Sequence, residues 1–179
     1  MLLFAQFSFG QAVSDQAVIP VSVTLNSILR LTIISGGNIQ FVVNTIDEYE
    51  FGVANSDRYT TTFSVASSRD FDVLLNAETA NLIGSDDVSN IMPVNNIGFV
   101  CPDNGGGAGF VAVLTPLGVA QIAVITGASA GGSDVNEFQI EWELATPALE
   151  TAGGSPSLLD QSLNPDNYVV NTFIVVDPS

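Results

Sequence analysis

Apolar and polar residues alternate with a period of two over much of this chain. In "NEFQIEWELA" (136–145), Phe138, Ile140, Trp142 and Leu144 fall on one side, and Glu137, Gln139, Glu141 and Glu143 on the other. That pattern predicts a half-buried strand on the edge or outer layer of an antiparallel sheet. "YTTTFSVAS" (59–67) places Thr61, Phe63 and Val65 on one face, and "DFDVLLNA" (70–77) alternates Phe71, Val73 and Leu75 with Asp70, Asp72 and Leu74. Further strands are expected at 17–25, 28–34, 39–43, 109–115, 119–126 and 167–176, all rich in Val, Ile, Thr and Phe. No segment carries the 3.6-residue spacing of a long amphipathic helix.

Gly-rich breakers at 35–38, 102–109, 127–134 and 151–157 separate these runs. "GGGAG" (105–109) lies between expected strands, where a flexible turn fits better than a phosphate cradle. Pro20 marks the first run as an edge strand or a bulge, and "TPLG" (115–118) has the form of a tight hairpin turn. Residues 80–98 have no clear period beyond a strand near "NIMPV". Short strands punctuated in this way predict an all-β fold, a single antiparallel β-sandwich of immunoglobulin or pilin-like type, with a β-barrel or jelly roll as the alternative. One domain is expected over 11–179.

The opening "MLLFAQFSFGQ" is too short to cross a bilayer as a helix. It has the apolar run of a secretory leader, with Ser8 and Gly10 placed for cleavage after Gly10, although a charged first region is missing. Residues 1–10 are read as the remnant of such a leader or, if retained, as a strand, and the protein as secreted to the cell surface.

Charge removes whole classes of function. There are 19 acids against three bases (Arg30, Arg58 and Arg69), no Lys and no His, and the net charge is −16. Three scattered arginines cannot replace phosphate counterions, so neither nucleic acid nor an anionic membrane is an expected partner. Nor is membrane insertion expected of the processed chain. Without His there is no His-based nucleophile or general base, and without Lys no Schiff base or phosphate-loop lysine. No catalytic residue and no cofactor are assigned, and the protein is expected not to be an enzyme. Calcium alone survives this filter, because it needs only oxygens; Asp86 and Asp87 in "GSDD" are the best candidates, although Asp and Asn are also ordinary turn formers. Cys101 has no second cysteine to pair with and reads as a small buried hydrophobe.

Three stretches, "IPVSVTLNSILRLTI" with "GGNIQF", "TTFSVASSRDFDVLL", and "NYVVNTFIVV" after "NPDNY", resemble the pilin-like sandwich domains of archaic chaperone–usher systems, spore coat U-like proteins and related secreted Bacteroidetes proteins. Spore coat U-like domains carry cysteine pairs, which this chain lacks. The resemblance implies a subunit of a surface fibre joined by strand exchange. Edge strands invite pairing with another chain, and no Lys blunts them here. The strand offered to a neighbour is expected in the first run, with Val18, Ile19, Val21, Val23 and Leu25 as its apolar positions. The expected partner is therefore another copy of the chain, in a filament or sheath. An extracellular carbohydrate-binding or adhesive module, taking a glycan or surface ligand, is the second reading.

Overall fold

The computed structural model describes residues 19–104 and 108–179. The expected leader, together with Val18 and most of "GGGAG", lies outside the described residues. Within them, twelve strands form antiparallel sheets: β1 Leu29–Ser35, β2 Thr60–Ser67, β3 Phe71–Ala77, β4 Asn81–Gly84, β5 Ile91–Pro93, β6 Ile97–Val100, β7 Gly109–Phe110, β8 Thr115–Pro116, β9 Ile122–Ala128, β10 Glu137–Leu144, β11 Tyr168–Val169 and β12 Thr172–Pro178. One sheet has the order β1-β2-β10-β6-β8, a second β12-β3-β9-β7, and a small third β11-β4-β5. The fold is all-β and sandwich-like, and its sheets keep open edges rather than closing into a barrel.

Period-two patterning builds the core. Phe63 and Val65 of β2, Phe71, Val73 and Leu75 of β3, and Phe138 and Ile140 of β10 are all buried in one cluster. Phe138 joins the two large sheets: its ring lies 5.6 Å from Phe63 in its own sheet, and 6.3 Å and 6.1 Å from Phe71 and Phe110 in the facing one. Such aromatic contacts add to the area they bury. Cys101 is fully buried in this cluster, as the apolar run around it predicts.

Several expectations need correction. Of the expected edge or outer layer, the edge is wrong: β10 is paired on both sides, by β2 and β6, and from this central position Glu137 and Gln139 are exposed while Glu141 and Glu143 are half-buried. Thr115–Pro116 is not a turn but a short strand, with Pro116 opposite Gly98. As the outermost strand of its sheet, it loses little by lacking one N–H. The expected strand 109–115 is broken into β7 and the start of β8, and 167–176 divides into β11 and β12. β4 was hidden in the stretch without a period, since a four-residue strand shows too few alternations to register.

Two short helices escape the apolar period as well, α1 Ile46–Phe51 and α2 Pro147–Thr151. Their caps are legible. "TIDE" forms a capping box in which Thr45 Oγ1 accepts the Glu48 N–H and Glu48 Oε2 accepts the Thr45 N–H. These same bonds lower the Glu48 pKa, with a further amide bond from Asn44 as the largest cause. In α2, Thr146 caps and Pro147 occupies the first turn. Among the described residues, no helix is long and apolar enough to cross a membrane.

Candidate assembly groove

The two large sheets do not end alike. On one side their edges are the two-residue strands β8 and β7; on the other they are the seven-residue strands β1 and β12. Between these long edges opens a cleft of about 950 Å³. Its floor is apolar, formed by Leu82, Met92, Ile97, Trp142, Leu144 and Leu158. Leu31 and Ile33 of β1 contribute to one wall, and β11 with β12 forms the other.

Backbone register gives the second wall its chemistry. Glu78 N–H donates to Asn171 O, and Ser179 N–H to Asp70 O, whereas Ala77 N–H turns away to Gly118 O. In the β3–β12 ladder the hydrogen-bonded positions are therefore Phe173, Val175 and Asp177. Antiparallel alternation then turns the backbone groups of Thr172, Ile174 and Val176 to the open edge. Ile174 and Val176 also pack their side chains on the core. The edge thus offers unpaired amides above an apolar floor.

The first wall continues beyond β1 in an unusual way. After Gly36, which has φ +65°, the chain crosses over, and Ile39, Phe41 and Val43 pack on the core while Gln40 and Val42 are exposed. This is the burial of a strand, which the β-favouring composition of 39–43 leads one to expect. Yet among the described residues no backbone hydrogen bond involves residues 38–43. The side chains have the burial of a strand, and the backbone has no neighbour to make it one. The crossover is pinned from below: Thr61 Oγ1 donates to Gly36 O at 2.7 Å and accepts from Trp142 Nε1 at 2.9 Å.

The described part of the run expected to be the first strand, residues 19–25, is not in any sheet. Ile19, Val21, Val23 and Leu25 are 81%, 84%, 78% and 90% exposed. Pairing with the sandwich begins only where Ser68 N–H donates to Ile28 O and Ile28 N–H to Ser68 Oγ. Of the residues assigned to an assembly strand, all but Val18 are therefore described, and they form an unpaired apolar arm. Its proline explains part of the difference, because it cannot donate to a ladder.

At one end of the cleft a carboxylate ties two loops together. Asp166 accepts from Asn90 Nδ2 (2.8 Å) and from the backbone N–H groups of Asp86, Asp87 and Asn167 (3.0, 3.1 and 2.7 Å). The Asn90 bond, followed by these amides, holds its pKa down at about 2. Gly84 makes the approach possible, since a Cβ there would lie 2.2 Å from Asp166 Oδ2. Asp86 and Asp87, the calcium candidates, therefore serve Asp166 through their amides. The Asp87 carboxylate is engaged by the Ser89 hydroxyl and N–H, which lower its pKa. Among the described residues no three His, Cys, Asp or Glu side chains converge as a metal site. Asp166 carries no sequence signal beyond "NPDN", which reads as a turn.

No protein-family model matches the chain, and no curated protein matches it in sequence.

Proposed function

We propose that this chain is a non-enzymatic structural subunit of a secreted surface filament, in which the arm of one copy lies in the groove of the next. The observation that carries this reading is that one chain holds both an unpaired arm of alternating apolar residues and a groove with an apolar floor and unpaired edges. The dimensions agree. Residues 19–25 span about 20 Å when extended, and the β12 edge is likewise seven residues long. Burying four arm side chains contributes roughly 6–12 kcal/mol before the cost of ordering the arm. Because donor and acceptor surfaces differ, the contact is head-to-tail and propagates rather than closing into a pair. A carbohydrate-binding module finds less support, since Trp142, the one tryptophan, is only 5% exposed.

Trp142 supplies the test, because it lies in the groove floor. A synthetic peptide of residues 17–27 should shift the tryptophan emission of dilute protomers and cap fibre growth. A chain lacking residues 1–25 should stay folded and take up the peptide, yet form no fibres by electron microscopy. Unshifted emission, together with protomers that remain solitary at high concentration, would sink the proposal.

A further inference from the structure

The arm and the groove belong to the same chain, so an arm could also close its own groove and end assembly. Connectivity restricts how. Leu29 lies opposite Ser67, and Pro178 lies opposite Phe71 just past the β2–β3 turn, so the root of the arm and the end of β12 share one end of the sandwich. An arm antiparallel to β12 in its own groove would carry Leu25 to the far end, about 20 Å away. Four residues must then return to Leu29, and they reach at most about 14 Å. A chain can therefore fill its own groove only parallel to β12, whereas a neighbour's arm is free to enter antiparallel.

The two directions use different amides. With Ile19, Val21, Val23 and Leu25 turned to the core, an antiparallel arm directs the N–H groups of those same residues to β12, because opposed residues in such a pair face each other. In a parallel pair the opposed residues point oppositely, so Pro20, Ser22 and Thr24 face β12 instead. Pro20 has no N–H to give. In the neighbour's groove the gap falls toward residues 38–43, which run in no ladder; in the chain's own groove it falls on the regular β12 edge.

We infer that Pro20 is a specificity residue that turns the arm away from its own groove and toward that of a second copy, an inference that rests on the assembly reading above. Restoring one ladder hydrogen bond is worth about a fivefold change in equilibrium. Dilute full-length Pro20→Val protomers should accordingly take up the 17–27 peptide more weakly than wild type, by up to about fivefold in Trp142 emission titrations, and should seed fibres more slowly. Proline placement provides a second measurement. Ser22→Pro widens the gap on the same ladder and should leave fibres intact, whereas Val21→Pro breaks the other ladder and should abolish them. Pro20→Val protomers that take up peptide as tightly as wild type, or proline variants that behave alike at 21 and 22, would overturn the role of Pro20 and leave assembly standing. A wild-type chain that takes up no peptide and stays solitary at high concentration overturns assembly itself, and this inference with it.

Discussion

Trp142 Nε1 donates a 2.9 Å hydrogen bond to Thr61 Oγ1, and the Thr61 hydroxyl in turn donates one to the Gly36 carbonyl oxygen. One buried pair thereby fixes the floor of the groove and the point where its first wall leaves the sheet. Thr61→Val leaves the indole N–H and the Gly36 carbonyl without these partners. The expected loss is about 1–3 kcal/mol, measured as a lower urea midpoint with an unchanged slope.

Gly36 itself admits no side chain. Its φ is +65°, and a Cβ would meet the Thr60 carbonyl oxygen at 2.1 Å. Gly36→Ala should destabilise the fold by more than about 1 kcal/mol and weaken uptake of the arm peptide, because the wall it positions must shift. Gly118→Ala, where nothing lies within 4 Å, is the control and should move neither quantity.

Phe138 carries the contact between the sheets. Phe138→Ala removes a side chain that is 3% exposed and touches three aromatic rings. A loss of about 3–5 kcal/mol is expected, read by thermal or urea unfolding; a loss under 1 kcal/mol would mean that the sheets do not pack through this residue.

Acid should loosen one end of the groove. The folded pKa of Asp166, at about 2, lies below the ordinary aspartate value of 3.8. Its contribution to stability is therefore complete above about pH 4 and is lost as pH falls through about 2. Wild type and Asp166→Asn should differ in urea midpoint at pH 6 and converge toward pH 2. A constant difference across that range would refute the clasp.

Cys101 should be chemically silent in the folded chain. Burial pushes its thiol up to about 12, and the thiolate is the reactive form. A thiol reagent at pH 8 should label it only after denaturant is added, and fibres should show no disulfide-linked dimer on a non-reducing gel.

The period-two code was enough to determine the all-β class and the inward faces of β2, β3 and β10, because burying alternate side chains is a local property of each strand; the apolar run around Cys101 was enough to determine its burial. Enrichment in Val, Ile, Thr and Phe marked residues 17–25 and 39–43 as strand-like too. Whether such a segment becomes a strand depends on a neighbour for its backbone, and alternation carries no information about that. Tertiary structure decided the rest: that β10 is central, that β1 and β12 are the long open edges, and that a groove with amides to spare lies between them. It also brought Asp166 to the amides of Asp86 and Asp87, 80 and 79 residues away. Contacts over such distances along the chain arise only when sheets pack, so the side chains that line the groove stay scattered in the sequence until the fold collects them.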